Sequence, residues 1–334
     1  MSTRHDATSV TLATLPSGVA LRTVLHTYEG DTDSDDDGPT LYVQAAQHGR
    51  EINGVETVRR LHEHLLEAEL HGRVVVVPIA NPITFDRVSY TSPAALDDVN
   101  PNMNRVWPGN EDGTIHERMA ARLWETASQA DAMVDLHTGS PEMFPHVVAT
   151  EGDETSMELA RAFGTDLLLV ESAHEDAAEE WAKRNFDGKF RVTAHENGIP
   201  CITPELANHT QIIEDAVELG VRGLLNVLRS LGILTTDLEP NGTPSLARNH
   251  LGRVTATESG LFRPDPKLRV GEHVTEGTFL GTVFDPLTFE EKQRVTADRD
   301  GVLYVLSQEA TVRAGDTLAN VALPLAEDNE DKTG

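Results

Sequence analysis

The chain has 334 residues, of which 39% are hydrophobic, so it can bury a sizeable core in one large domain or two. It carries 55 acidic and 27 basic residues, and the resulting net charge of -28 argues against a nucleic-acid partner. No apolar run approaches the roughly 20 residues that span a bilayer, and the N-terminus lacks a signal-peptide pattern. The lone Cys201 excludes an internal disulfide framework. These features predict a soluble, cytoplasmic protein with no membrane partner.

The acidic excess is spread along the whole chain, and only five residues are lysine. Salt of molar strength shortens the Debye length to about 3 Å and removes the repulsion between such charges. The composition therefore favours a salt-adapted, halophilic protein, with a merely acidic protein as the alternative. The local run DTDSDDDG, residues 31–38, is interpreted as a solvated loop between two strands, because it lacks the glycine and glutamate spacing of an EF-hand.

Predicted strands and helices alternate over roughly the first 235 residues. The strands are predicted at 18–27, 40–47, 73–82, 131–139, 166–170 and 199–206, and the helices at 53–70, 116–129, 155–163 and 212–231. Alternation of this kind predicts an α/β fold with a doubly wound mixed sheet. We expect this catalytic domain to span residues 1–240.

The pattern changes at residues 235–245, which are interpreted as a linker. Short β-like runs broken by glycine follow, and they predict a small all-β domain at 246–324. Its segments VGEHVTEGTFLGTV and VRAGDTLANVA are similar to the two halves of a biotinyl/lipoyl-type barrel. The carrier lysine of such barrels is absent, so we interpret the domain as structural or as part of a subunit contact in a homo-oligomer. Residues 325–334 form an acidic tail.

A candidate metal site begins where the strand at 40–47 meets the next helix. His48 and Glu51 lie at this junction, and the spacing of three residues can direct both side chains to one ion. Gly49 between them is expected to let the backbone turn tightly. Taken alone, His-x-x-Glu is a weak signal, and the alternative is a satisfied histidine beside a solvated glutamate.

A third ligand can come from the strand that carries VDLHTG. His137 ends its apolar part, and ligand groups converge at the carboxyl edge of such sheets. Other histidines are weaker candidates: His5 and His26 come too early in the chain, and His62 is expected to be solvated on a charged helix.

Glu205, in CITPEL, follows a strand at the same predicted edge and could act as a general base, although a helix cap is the alternative. Asn104 and Arg105 lie in the polar, proline-bounded segment NPNMNRVWPG. Arginine pairs bidentately with carboxylates, so Arg105 suits an anionic substrate group, whereas an exposed turn is the alternative. Motifs for a serine nucleophile, a Walker loop or a dinucleotide site are absent from the sequence.

Together, the ordered motifs QHGREINGVE, NP, NMNRVWPG, DLHTG and ITPEL resemble the succinylglutamate desuccinylase/aspartoacylase family. The resemblance covers about residues 40–324 and implies a zinc-carboxypeptidase-like fold. It implies one Zn²⁺ per chain, held by three ligands, and a deacylase that hydrolyses a small N-acylated amino acid or related amine.

Residue by residue, the resemblance implies zinc on His48, Glu51 and His137, and Glu205 as the acid and base acting on a zinc-bound water. It implies substrate contacts for Asn104 and Arg105, and a catalytic role for Arg105 at the developing oxyanion.

The sequence departs from the family pattern in one place. Members commonly carry another arginine before an aromatic residue, where this chain has Ser89 before Tyr90. Arg87 is a candidate to replace it as a substrate contact, and the departure puts N-acyl-aspartate and succinylglutamate in doubt as substrates. Two alternatives stay open: a zinc carboxypeptidase acting on short peptides, and a non-catalytic family member that retains a vestigial metal site.

Overall fold

The computed structural model describes residues 3–30, 38–139, 142–171, 186–248 and 253–325. The acidic run at 31–37 and the tail at 326–334 lie outside these residues. Within the described ranges, no helix combines the length and the apolar character needed to cross a membrane.

The α/β part alternates strands and helices. Its strands are β1 (Arg4–Thr14), β2 (Ala20–Glu29), β3 (Thr40–Ala45), β4 (Arg73–Val77), β5 (Ala132–Gly139), β6 (His146–Thr150), β7 (Leu167–Glu171), β8 (Cys201–Asn208) and β9 (Ser245–Arg248). Its helices are α1 (Asn53–Glu67), α2 (Pro82–Arg87), α3 (Ile115–Ala127), α4 (Glu154–Phe163), α5 (Phe190–Glu196) and α6 (Glu214–Ser230). The sequence-based elements are confirmed with shifted ends, whereas β1, β6, β9, α2 and α5 were not predicted.

The large sheet is mixed and has helices on both faces. Its strand order begins β1-β2-β4-β3-β5-β8-β6-β7-β9, with parallel pairing among β4, β3, β5 and β8. Val74 and Val76 of β4 face a core that also contains α1, α4 and α6, whereas Val75 and Val77 face a second core with α2, α3 and α5. This period of two, buried on both sides, is the reason that β4 is a continuous apolar run.

The C-terminal part is all-β in the residues described. Its strands are β10 (Arg253–Thr255), β11 (Gly260–Pro264), β12 (His273–Val274), β13 (Phe279–Phe284), β14 (Glu291–Thr296), β15 (Gly301–Leu306), β16 (Thr311–Val312) and β17 (Thr317–Pro324). β14, β13, β11 and β16 form a separate antiparallel sheet. This sheet shares one apolar core with β15 and β17, to which Phe262 and Leu303 both contribute. The biotinyl/lipoyl-like barrel stays a prediction.

A strand that begins at the last residue of the expected linker joins the two parts. β9 pairs in parallel with β7 and antiparallel with β17, so the large sheet continues into β17, β15 and β12. The C-terminal part is therefore fixed against the α/β part by backbone hydrogen bonds. The domain limits of 1–240 and 246–324 stay a prediction.

Candidate active site

Three side chains meet at the carboxyl edge of the parallel strands. β3 and β5 are neighbours, with Ala45 opposite Leu136, so the segment after β3 lies beside the end of β5. This register brings His48 and Glu51 to His137, and one potential ligand atom from each lies within 4.8 Å of the others. All three side chains are buried.

The loop between β3 and α1 is held by close backbone packing. Ala46 adopts a positive φ of 52°, so the left-handed turn falls there and not on Gly49. A Cβ on Gly49 would lie 2.0 Å from the carbonyl of Thr84 at the start of α2. The expected tight turn is present, closed by a 3.0 Å hydrogen bond from the Glu51 N–H to the His48 carbonyl, and the close approach of Thr84 is a second reason for a glycine here.

His48 is oriented by the chain around Tyr90. Its Nδ1 lies 2.9 Å from the carbonyl oxygen of Tyr90, and the two rings stack with centroids 3.9 Å apart. If Nδ1 carries the proton and donates it to that carbonyl, the lone pair of Nε2 is available to an ion. Burial lowers the pKa of His48 to about 4, which keeps the imidazole neutral as a metal ligand must be.

His137 is held from two sides by carboxylates. Its Nδ1 lies 2.9 Å from Glu51 Oε2, and its Nε2 lies 2.8 Å from Asp135 Oδ2. Asp135 also accepts hydrogen bonds from the buried amides of Gln47 (2.7 Å) and Gln44 (3.1 Å). Trp107 fixes Gln47 in turn through an Nε1 bond of 2.8 Å. The ring plane and position of His137 are thus determined by a buried polar network.

The charges of this network favour a cation. Burial would lower the pKa of His137, but Asp135 and Glu51 outweigh it and raise that pKa well above the ordinary value. Burial would likewise raise the pKa of Asp135, yet His137 and the two glutamine donors hold it below its ordinary value. The two carboxylates that favour a proton on His137 would equally favour a divalent cation at this position. Such an ion would take the place of the proton.

The donor set fits a catalytic zinc ion. Two imidazoles and one carboxylate are a known three-ligand set that leaves a position for water. His137 would use Nδ1, because Nε2 faces Asp135 in the carboxylate–histidine arrangement typical of metal sites. The described side chains therefore provide both the ligands and the groups that orient them.

Glu205 lies beside the ligands. It is inside β8, directly opposite His137 in the parallel pairing of β5 and β8. Its Oε2 is buried and has no hydrogen-bond partner among the described residues. Burial raises the pKa of Glu205, and the nearby Glu51 adds to this effect although His137 opposes it. The alternative of a helix cap is wrong, because Glu205 lies within a strand and α6 begins only at Glu214.

Asn104 and Arg105 also reach the cavity. The Oδ1 of Asn104 accepts a 2.9 Å hydrogen bond from the backbone of Phe190, and its Nδ2 lies 3.4 Å from Nε2 of His137. The guanidinium of Arg105 lies over the ring of Phe186, 5.0 Å from its centroid. Both side chains are partly buried and line the cavity that contains the ligands.

Arg87 is not brought to this cavity. It is exposed at the end of α2 and is absent from the cavity lining. Arg50 lines the cavity, with its guanidinium 4.9 Å from the centroid of the Tyr90 ring. The role predicted for Arg87 gains no support from its position, and Arg50 was not considered because it lies between two stronger motif residues.

The cavity has a volume of about 390 Å³ and is lined by both parts of the chain. The α/β part contributes the ligands and a buried ion pair between Glu171 and Arg191, next to Lys189. The C-terminal part contributes Arg253, Tyr304, Val305, Ser307, Thr317 and Asn320. A 2.9 Å hydrogen bond from the backbone N–H of Phe144 to the carbonyl oxygen of Tyr304 holds the two parts together at this place. Sequence patterns did not indicate that the C-terminal part reaches the site.

This fold and this site define an α/β protein with a buried His-Glu-His group that could hold a metal ion, and comparison with known proteins identifies its family. Residues 37–231 match the model of the succinylglutamate desuccinylase/aspartoacylase catalytic domain. The chain belongs to this family.

Individual relatives cover nearly the whole chain. It is 27% identical over 306 residues to the N-alpha-acetyl-L-2,4-diaminobutyric acid deacetylase of Halomonas elongata, covering 86% of this chain and 82% of the relative. A succinylglutamate desuccinylase/aspartoacylase structure from Rhodobacter sphaeroides matches with a TM-score of 0.82 at 23% identity, over 97% of both chains. The product-bound ectoine utilization protein EutE (DoeB) from Ruegeria pomeroyi matches with a TM-score of 0.79 at 24% identity, over 96% of this chain and 95% of that one.

Proposed function

We propose that this protein is a zinc-dependent deacylase that hydrolyses the amide bond of a small N-acylated amino acid or a related amine. The observation that carries the proposal is the position of Glu205. Glu205 lies opposite His137, and its buried Oε2 lacks a protein partner within the described chain. A buried carboxyl group with an unused oxygen beside a three-ligand site is suited to exchange protons with a water molecule in the cavity.

A bound zinc ion would supply Lewis acidity and lower the pKa of a coordinated water to about 7. His48, Glu51 and His137 would hold it, with Asp135 and the Tyr90 carbonyl fixing the two imidazoles. Glu205 accepts a proton from the attacking water and later delivers it to the leaving amine nitrogen. A nearby cation favours the ionised form of Glu205 that the first transfer requires.

Arg105 and Asn104 are the proposed substrate contacts. Arg105 presents several N–H donors, which can bind a carboxylate bidentately or face the negative charge that develops on the acyl oxygen. Asn104 is anchored by the Phe190 backbone, so its amide is held in place beside His137. A substrate with a free carboxylate, such as an amino acid, matches this side of the cavity.

The enclosure of the site favours small substrates over peptides. Side chains of the C-terminal part, including Tyr304 and Asn320, line the same cavity as the metal ligands. A cavity of about 390 Å³ is at the small end of ligand sites. The relative from Halomonas elongata, a deacetylase of an N-acetylated diamino acid, supports the same substrate class. The carboxypeptidase alternative has no observation in its favour.

The test is hydrolysis of a panel of N-acetyl and N-succinyl amino acids and diamino acids, alongside short peptides with free C-termini. Release of the amine is measured for the protein as purified, after treatment with a chelator, and after zinc is restored. We expect hydrolysis of a small N-acyl compound that disappears with the metal and returns with zinc. Stoichiometric zinc without hydrolysis of any panel member would instead support the non-catalytic alternative.

A further inference from the structure

A second cluster of histidines lies away from the active site, between the N-terminal hairpin and helix α1. β1 and β2 pair antiparallel, with His5 opposite Tyr28 and Ala7 opposite His26. Because side chains alternate across a strand, His5, His26 and Tyr28 share one face of the hairpin. His62 of α1 packs against the same face, with its ring centroid 5.0 Å from that of His5 and 6.0 Å from that of His26.

The nitrogen atoms of the cluster have the spacing of metal ligands. One potential ligand atom from each histidine lies within 4.8 Å of the others, as in the active-site group. His5 Nε2 and His26 Nδ1 are 3.1 Å apart. Two nitrogens bound to one tetrahedral zinc at about 2.0–2.1 Å lie about 3.3 Å from each other. Only small shifts would therefore bring both nitrogens to one ion.

The third histidine is already oriented by its neighbour. The Nδ1 of His62 lies 2.6 Å from the hydroxyl oxygen of Tyr28, which is itself buried in the core. When Nδ1 carries the proton and donates to this oxygen, the lone pair of Nε2 is available to a metal. A hydrogen bond to the second ring nitrogen is the usual support of a metal-bound histidine. The prediction that His62 is solvated is wrong: it is half-buried and has a tyrosine partner.

We propose that His5, His26 and His62 form a second metal site, one that binds a divalent transition ion of the zinc type through three imidazoles. Imidazole nitrogen suits Zn²⁺, Cu²⁺ and Ni²⁺ and selects against Mg²⁺ and Ca²⁺. The three histidines are only half-buried, so water can complete the coordination. The net charge of -28 attracts cations to the surface in general, while the imidazoles make this position selective.

The site would join three separate segments of the chain. β1 is the edge strand of the large sheet. His5 belongs to this strand, His26 to the next one, and His62 to the helix that follows the active-site loop. An ion bound by all three would attach the edge strand to α1 and stabilise the folded state by mass action. The role is structural and does not depend on the proposed hydrolysis.

The experiment counts zinc ions by equilibrium dialysis and elemental analysis. The wild type is compared with His137→Ala, His26→Ala and the double variant, and His64→Ala serves as the control because His64 is exposed on α1 outside the cluster. We expect about two ions per chain for the wild type and His64→Ala, about one for each single cluster or active-site variant, and none for the double variant. Two results would overturn the proposal. One is a wild type that binds a single zinc ion which His26→Ala also binds, and the other is a double variant that still binds zinc.

A second measurement guards against a folding defect in these variants. Thermal unfolding of His137→Ala is recorded with and without zinc, and we expect zinc to raise the midpoint by about 2 °C or more. The same addition should have no effect on the double variants that also carry His26→Ala or His5→Gln, provided that both are folded before heating. A zinc response that persists in these folded double variants would exclude the cluster as its source.

Discussion

Asp135 Oδ2 lies 2.8 Å from His137 Nε2, so the strand that carries this proposed metal ligand also carries the carboxylate that orients it. The two residues are two positions apart in β5, and in a strand this spacing puts both side chains on one face. The side-chain amides of Gln44 and Gln47 donate hydrogen bonds to Asp135, which is the one charged group that either amide contacts in this network.

The first prediction follows from this pair. Asp135→Asn should weaken zinc binding about 10–100-fold, because the amide cannot match the carboxylate in fixing the tautomer of His137. Affinity is measured by competition with a chromophoric chelator. Asp166→Asn is the control, since Asp166 is exposed and directly precedes β7. Equal affinities for the wild type and Asp135→Asn would show that the pair does not orient the ligand.

Arg105→Lys should raise KM for a substrate with a free carboxylate by roughly 10–100-fold, because the lysine keeps the charge but loses the bidentate geometry. Arg87→Lys is the matched variant, and steady-state kinetics are measured for both. The exposed position of Arg87 predicts an unchanged KM for that variant. A larger rise in KM for Arg87→Lys than for Arg105→Lys would identify Arg87 as the residue that binds the substrate carboxylate.

Stability should depend on pH through His116, which is buried away from the metal ligands. Its Nδ1 lies 2.7 Å from the Asn100 carbonyl and its Nε2 lies 3.2 Å from the Asn81 amide, an arrangement suited to the neutral ring. Burial lowers the pKa of His116, although Asn100 and Asp97 oppose this. The unfolded chain, with a histidine pKa of about 6.5, therefore binds a proton more readily than the folded protein.

The contribution of neutral His116 is present above pH of about 6.5 and is lost as the pH falls below that value. The difference in unfolding free energy between the wild type and His116→Gln should accordingly shrink on acidification. Urea unfolding of both proteins at several pH values measures this difference. If the difference stays constant or grows towards low pH, the neutral state of the buried ring is contradicted.

The net charge of -28 predicts a stabilising effect of salt. Raising the NaCl concentration from about 0.1 M to about 1 M shortens the Debye length from about 10 Å to about 3 Å and screens the repulsion between acidic groups. The midpoint of thermal unfolding should therefore rise. Chloride is preferred to sulfate, because sulfate also strengthens hydrophobic burial. A midpoint that stays level or falls would argue for an ordinary acidic protein.

The sequence predicted the α/β alternation and the meeting of His48, Glu51 and His137, because both depend on local patterns. His48 and His137 each follow an apolar run, and parallel strands bring such positions to one edge. Asp135 was overlooked within the apolar run before His137, although a carboxylate inside a buried strand is itself a signal that it has a partner. β1 was missed because most of its side chains are exposed and polar, so its sequence lacks the alternation of apolar and polar residues that indicates a strand.

Contacts that depend on tertiary packing were beyond the sequence patterns. Tyr304 and Asn320 reach the cavity because β9 joins the C-terminal strands to the large sheet, and no local period encodes that pairing. The cluster of His5, His26 and His62 likewise depends on the register between β1 and β2 and on how α1 packs against them. None of these histidines has a second potential metal ligand at a suitable spacing within its own segment of the sequence.

The most direct test of the proposed deacylase mechanism is hydrolysis by the zinc-loaded Glu205→Gln variant, with zinc content measured on the same sample. Glu63→Gln, an exposed substitution on α1, is the control. We expect kcat of Glu205→Gln to fall about 10²–10⁴-fold, while zinc content and the unfolding midpoint stay at the wild-type level. A Glu205→Gln variant that keeps its zinc and hydrolyses the substrate at the wild-type rate would contradict the role of Glu205 and the mechanism that depends on it.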